Sequence, residues 1–257
     1  MVVLPLADLI ATALISGSAR QLLRMDGNNH SVFHFDFAEA AVEESFQPSA
    51  DVYVRDTRAF SSGEMVWNAS TVWGIPEFDS LTRSSKLAID QLDRLSSTPD
   101  RILVFNPGQG HLPIAAALRW NPGHITLVSR DLLALQASER NLRENDYSGS
   151  ISTVHSADLA SFDSRFDLVC GFLEEKVPQA VQEAVFDQAS NALDTAGSLL
   201  VAGTSTPVTR LADRSKVGGL ALIHRSRKHG HSAALFLTSP RRNDSATPQK
   251  HEVAPDG

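Results

Sequence analysis

The stretch Arg101–Asn145, RILVFNPGQGHLPIAAALRWNPGHITLVSRDLLALQASERNLREN, constrains the fold more than any other part of the chain. Ile102–Phe105 is a short apolar run without polar alternation, the pattern of a strand buried on both faces. Asn106-Pro107-Gly108-Gln109-Gly110 breaks the run, and its two glycines reach backbone conformations closed to residues that carry a Cβ. A helix over Leu112–Trp120 follows, with Pro113 suited to a first turn, and then a second strand and helix. A strand that feeds a glycine turn at a helix N-terminus is a common cradle for a nucleotide-like ligand, because unpaired N–H groups converge there.

Strand and helix continue to alternate downstream. Ile151–Val154 and Phe166–Cys170 read as strands, Gln179–Leu193 as a helix with Val181, Ala184, Val185, Ala189 and Leu193 on one face, and Gly197–Ala202 as a fifth strand. Leu211–Lys216 reads as a polar linker or helix end. Val217–His224 and Ser232–Leu237 read as strands flanking a turn at Arg225–His231. This order predicts an α/β fold: a doubly wound, mostly parallel seven-stranded sheet closed by an antiparallel terminal hairpin. Upstream, Phe60 opens a loop rich in Ser, Gly and Trp, and Leu81, Leu87, Ile89, Leu92 and Leu95 mark an amphipathic helix. The first residues add a helix over Leu6–Leu23, a strand over Ser31–Phe37 and strand composition at Asp51–Arg55, with no chemistry-bearing pattern. The expected division is an N-terminal accessory region, 1–59, an α/β domain, 60–238, and a disordered tail, 239–257, which is poor in apolar residues.

Bulk properties exclude several classes. The 257 residues are 42% hydrophobic and 21% charged, ordinary for a globular chain with a sizeable core. Cys170 is the single cysteine, so an internal disulfide and a multi-cysteine metal site are both out, and a reducing cytoplasm fits. The opening MVVLPLADLIATALISGSAR lacks a basic n-region and is interrupted by Asp8, which argues against a signal peptide. No stretch approaches the roughly 18 apolar residues of a membrane span. The net charge of -7 confines any nucleic-acid contact to a local patch.

The segments FSSGEM, NPGQGHL and ITLVSRDLLALQASERNL, in that order, resemble class I S-adenosylmethionine-dependent methyltransferases. The similarity is to the "methyltransferase small" branch, which includes ribosomal-RNA guanine-N2 methyltransferases, and it covers about Phe60–Leu237. The resemblance implies a Rossmann-like methyltransferase fold, S-adenosylmethionine as cofactor, and RNA as substrate. It places the cofactor's methionine part against Gly108 and Gly110. Asn106 stands where the family has its first-turn aspartate. Ser129 occupies the position of the acidic ribose ligand, with Asp131 two residues on, and Asp158 matches the residue that bonds the adenine amino group. On the fourth strand, Phe172-Leu173-Glu174-Glu175 replaces the Asn-Pro-Pro-aromatic motif of base-amine methylation, which leaves Glu174 as a candidate base or proton-binding carboxylate. A dinucleotide dehydrogenase is disfavoured, since its third glycine would fall on Pro113 and its acidic ribose ligand on Ser129.

The altered motifs keep a second class open: a methyltransferase-like domain without chemistry that serves as a binding or scaffolding module. Arg210, Arg214, Lys216, Arg225, Arg227, Lys228, Arg241 and Arg242 gather late in the chain, either as a phosphate-contacting patch for RNA or as a solvated hairpin and tail. His224, His229 and His231 match no metal-ligand spacing and read as solvated. Trp67 and Trp73 have two readings, stacking on a base or packing at the sheet edge. Oligomeric state leaves no mark in the sequence.

Overall fold

The computed structural model describes residues 4–16, 19–28, 30–37, 50–159, 162, 165–214 and 219–238. The chain divides into two compact units, Met1–Val52 and Tyr53–Gly257. In the first, helix α1 (Leu4–Ser16) precedes an antiparallel hairpin of β1 (Ala19–Asp26) and β2 (Ser31–Phe37). Apolar periodicity extends the helix to Leu23; in the structure it stops at Ser16, and 19–26 is a strand. Gly17 costs a continuing helix about 1 kcal/mol, whereas the ladder with β2 satisfies the backbone without it. Arg24 pairs with both Asp8 and Asp26, which fixes α1 against this hairpin.

The second unit opens with a hairpin, β3 (Val54–Ser62) and β4 (Met65–Val72), where composition alone suggests a loop. It begins at Tyr53, so the expected division at 59/60 passes through β3. There follow α2 (Arg83–Leu92), β5 (Arg101–Phe105), α3 (His111–Trp120), β6 (His124–Ser129), α4 (Leu132–Glu144) and β7 (Ser150–His155). The chain then runs through β8 (Phe166–Phe172), α5 (Gln179–Asn191), β9 (Leu193–Thr204), α6 (Ser205–Arg214), β10 (Leu220–Lys228) and β11 (His231–Thr238). Seven strands form one sheet in the order β10-β11-β9-β8-β5-β6-β7, parallel except for β11, which is antiparallel to both of its neighbours. The doubly wound sheet and terminal hairpin are those read from the sequence.

Two apolar layers sandwich the sheet, and side chains alternate between them as strand geometry demands. Ile102, Val104, Leu168, Cys170, Leu200 and Leu235 face the layer that holds α2, α3 and α4. Leu103, Phe105, Val169, Val201 and Phe236 face the layer that holds α5 and α6. Cys170 is wholly buried, and burial pushes its thiol well above the usual range, so it packs as a small apolar residue.

Local chemistry sets the element ends. Asp131 caps α4, its Oδ1 accepting the N–H groups of Leu133 and Ala134 at 3.0 and 3.2 Å. Thr82 caps α2 by accepting the Ser85 N–H at 3.1 Å. The turn of the terminal hairpin is tighter than composition suggests. His229 and Gly230 both take positive φ, +48° and +82°, as a two-residue turn requires, so Arg225, Arg227 and Lys228 belong to strand β10 and not to a loop. Of the two readings of 211–216, polar linker or helix end, the described part, through Arg214, takes the second: it ends the ten-residue helix α6.

Hairpin β3–β4 does not join the main sheet. Three side-chain amides bind the free edge of β4 instead. Gln109 accepts the Val72 N–H and donates to the Val72 carbonyl, both at 3.1 Å. Asn141 accepts the Ser70 N–H at 2.8 Å and donates to the Ser70 and Gln109 carbonyls at 3.3 and 2.7 Å. Asn145 accepts the Asn68 N–H at 3.1 Å and donates to the Asn68 carbonyl at 2.7 Å. Alternate residues of a strand present their N–H and C=O groups to the same side, and a primary amide offers the matching donor and acceptor. Asn141 is completely buried, so its removal strands three backbone groups. Asn141→Ala is expected to lower stability by about 2–4 kcal/mol, from the cost of unsatisfied buried groups, read as a shift in the urea midpoint followed by tryptophan fluorescence.

Candidate active-site cleft

The C-terminal ends of the parallel strands open on a cleft of about 540 Å³, within the usual range for a small-molecule site. Its walls are Asn106–Gly108 after β5, Ser129–Asp131 after β6, Phe172–Lys176 after β8 and Gly203 near the end of β9. His231, the first residue of β11, completes the wall because β11 runs against its neighbours and starts at this end of the sheet. The outer wall is the segment that joins β4 to α2, with Gly74–Glu77 and Thr82 facing the space.

That outer segment is a strap pinned at several points. Gln109 donates to the Ile75 carbonyl at 3.1 Å, and Thr82 N–H donates to Glu77 Oε1 at 2.6 Å. The Arg55 guanidinium lies 5.1 Å from the Trp73 ring centroid and 4.4 Å from that of Phe78, and it pairs with Asp79 at 2.8 Å. Trp73 therefore packs on Arg55 beside the cleft, while Trp67 is buried in the core. Trp67 Nε1 donates to His111 Nδ1 at 3.1 Å. Indole is only a donor, so His111 Nδ1 bears no proton, and its Nε2–H faces the Glu77 carbonyl at 3.3 Å. His111 is thus held neutral, and burial lowers its pKa from the ordinary 6.5.

The structure gathers five of the residues singled out from sequence around the cleft: Asn106, Gly108, Ser129, Asp131 and Glu174. Gly108 has φ +61°, and a Cβ built there would meet only Ile75 Cγ2, 4.0 Å away, so the backbone lies open to a ligand. Gly110 has another task. A Cβ on it would sit 2.9 Å from Ser138 Cα, so this glycine lets α3 and α4 approach each other. Asn106, at φ +50°, donates its side-chain N–H to the Phe172 carbonyl at 2.9 Å, tying the end of β5 to β8. An aspartate has no proton to offer that carbonyl. The buried Ser129 hydroxyl accepts the Asp131 N–H at 3.0 Å, and Asp131 is occupied through Oδ1 in capping α4. Glu174 pairs with Arg130 across the gap between the β6 and β8 loops. Asp158 borders a smaller hollow of about 40 Å³ that shares Asn106, Phe172, Leu173 and Glu174 with the main cleft.

Of the late histidines, His224 bonds Gln91 Oε1 at 2.8 Å, and His231 bonds Ser84 Oγ at 2.9 Å in the cleft wall. Both were read as solvated. The register that sets His231 opposite Thr204, at the end of β9, is what brings it to the site, and no local pattern reveals a register. Among the described residues no cluster of His, Cys, Asp and Glu could hold a metal ion, and no helix is long and apolar enough to cross a membrane.

A family model described as the methyltransferase small domain matches residues 65–228, more than half of the chain. The chain belongs to that family. Its cofactor is S-adenosylmethionine. Among solved structures, the T. thermophilus 16S rRNA N2 G1207 methyltransferase superposes with a TM-score of 0.60 at 17% identity, over 91% of this chain and 62% of that one. The ribosomal protein L11 methylase of Lactobacillus delbrueckii subsp. bulgaricus gives 0.53 at 16% identity, over 61% of this chain and 79% of that one. A putative RNA methyltransferase of Pyrococcus horikoshii gives 0.52 at 14% identity, over 65% and 93%. At these identities the likeness is one of fold. No curated protein matches the chain by sequence.

The cleft fits the cofactor. The open backbone at Gly108 allows close approach, and the volume suffices for a small molecule. The strap makes this wall sensitive to pH through His111. Because its folded pKa is lowered, the neutral ring contributes stability that is complete above 6.5 and is lost as pH falls from there through the folded value. The thermal midpoint of the wild type is expected to fall between pH 7 and 5.5. His111→Gln, less stable at pH 8, is expected to show a flatter profile over the same interval; an equally steep profile would assign the loss to other groups.

Proposed function

We propose that the chain transfers a methyl group from S-adenosylmethionine to RNA. The observation that supports this best is the cleft itself, framed by the open Gly108 turn and by Asp131 at the ends of β5 and β6. In this reading the Gly108 backbone and the Asn106 Oδ1 face the methionine part, Asp131 and Ser129 lie at the ribose, and Asp158 lies at the adenine. Gly110 sets the helix approach that positions the turn. The bound cofactor supplies an electrophilic methyl group. The protein's contribution is placement, which can account for several kcal/mol of barrier. Glu174, braced by Arg130, stands on the acceptor side of this arrangement as a carboxylate able to accept a hydrogen bond from the acceptor and so to orient it.

RNA is favoured by the names of two of the similar structures, a 16S rRNA methyltransferase and a putative RNA methyltransferase. It is also favoured by Arg225, Arg227 and Lys228, exposed on the edge strand β10 whose hairpin turn leads to His231. Arg214 is committed to Glu183 and Asp187 and contributes less. Lys216, Arg241 and Arg242, and the expected disordered tail, lie outside the described residues. A cytoplasmic location accords with this reading.

A second reading, a binding module without chemistry, draws support from one observation: the Ser129 hydroxyl and the Asn106 amide both already serve internal bonds. Calorimetric titration separates the two. We expect wild type to bind S-adenosylmethionine and Gly108→Asp, which crowds the open turn, to lose at least tenfold in affinity; no heat from the wild type at millimolar cofactor would favour the module. For RNA, the double variant Arg225→Ala/Arg227→Ala is expected to weaken binding and to reduce the slope of log affinity against log salt by about 1.4, or about 0.7 for each of the two lost phosphate contacts on a single strand. An unchanged slope would place RNA elsewhere.

A further inference from the structure

The cleft has a wall that none of the family motifs accounts for. His231 is half-buried, lines the cleft beside Gly203, and places Nδ1 2.9 Å from Ser84 Oγ. Ser84 is itself buried in the first turn of α2, below the Thr82 cap, so it is a fixed partner. The adjacent Ser232 points to the other sheet face, where its hydroxyl donates to Ser205 at the start of α6, which leaves His231 directed toward α2 and the cleft. Among the described residues, Nε2 of His231 has no hydrogen-bond partner. By contrast, Glu174 on the opposite wall is tied to Arg130. The charged and titratable groups on the elements around His231 are His224, Arg225, Arg227 and its register partner Lys228 on β10, Arg83, Lys86 and Asp90 on α2, and Glu77, Arg130, Asp131, Glu174, Glu175 and Lys176 around the cleft. On α6 they are Arg210, Asp213 and Arg214, behind the sheet.

We propose that His231, oriented by Ser84, takes the proton that the acceptor releases on methylation. The inference rests on the methyl-transfer reading above. In this proposal Ser84 Oγ, 2.9 Å away, accepts the Nδ1–H, which holds the ring in the tautomer whose Nε2 carries a lone pair. The acceptor's nitrogen or oxygen forms a bond to the methyl carbon as that carbon parts from the sulfonium sulfur, whose bonding pair stays on sulfur. The acceptor's N–H or O–H proton passes to Nε2, and the imidazolium later releases it to water. Charge balances: one positive charge leaves the sulfonium and appears on the imidazolium. A neutral imidazole serves this purpose better than a carboxylate already neutralised by an arginine, because its lone pair is free to receive a proton. The acceptor is therefore a group that must lose a proton, and it enters between His231 and the Phe172–Lys176 loop.

Two measurements test this. Nitrogen–proton correlation spectra of the histidine rings, with His231 assigned by its absence in His231→Gln, are expected to show neutral His231 protonated on Nδ1, and Ser84→Ala is expected to relax that preference. A wild-type ring protonated on Nε2 overturns the proposal, whatever the substrate. The second measurement is transfer of labelled methyl from S-adenosylmethionine to total RNA. His231→Gln is expected to lower kcat about 100-fold or more, the usual scale for a lost acid–base group, to leave cofactor affinity by calorimetry within threefold, and to remove the acid limb of the kcat–pH profile. A kcat within threefold of wild type, or a retained limb, overturns it. Failure of the wild type to methylate RNA at all counts against the RNA reading alone, and the tautomer still decides His231.

Discussion

The Asn141 amide holds this structure together where no strand ladder does. Hairpin β3–β4 lies outside the main sheet, and an unpaired strand edge buried against helices would leave a row of backbone groups without partners. Gln109, Asn141 and Asn145 stand in for the missing strand, each reading both polar groups of one residue two apart along β4. Gln109 belongs to the glycine turn and Asn141 to α4, so the hairpin is fastened to the same two elements that shape the cleft floor. From β4 the chain runs directly into the strap. The geometry of the outer wall thus depends on three amides that do not themselves line the cleft.

The same economy governs the polar groups in the cleft. Asn106 spends its N–H on β8, Ser129 spends its hydroxyl on the Asp131 backbone, and Asp131 spends one oxygen on α4. These bonds fix the loops at the strand ends, and each residue keeps one acceptor site beyond them. A site built this way is rigid first and polar second. The departures from the family motif are consistent with that order: Asn106 supplies a proton that aspartate lacks, at a carbonyl that needs one.

The main sheet was legible because its strands are short apolar runs separated by turn residues, and Gly108 was legible because a glycine turn has a local signature. The N-terminal strand 19–26 was not, since its leucines and arginines fit a helical face until pairing with β2 decides otherwise. Hairpin β3–β4 was hidden for a related reason: β4 takes its edge partners from side chains 37 and 71 residues away, and nothing in its composition records them. Gly110 was read as a ligand contact, but the near collision with Ser138 gives it a packing role that only the helix–helix distance reveals. His231 was passed over because its place depends on the register of β11 against β9, a long-range property. The reading from sequence succeeded where meaning is local and failed where it is set by pairing.

The reversed direction of β11 has a temporal side. A parallel strand brings its last residue to the cleft, whereas this one brings its first, and it is the final strand of the sheet. The cleft wall is therefore drawn from residues as early as Gly74 and as late as His231. During synthesis the residues of the Gly108 turn and the β6 loop are made before those of β11, so the pocket lacks one side until the sheet is closed. The partly made protein is open to solvent at the place where a reactive ligand would sit, and completion of the domain and completion of the site are one event.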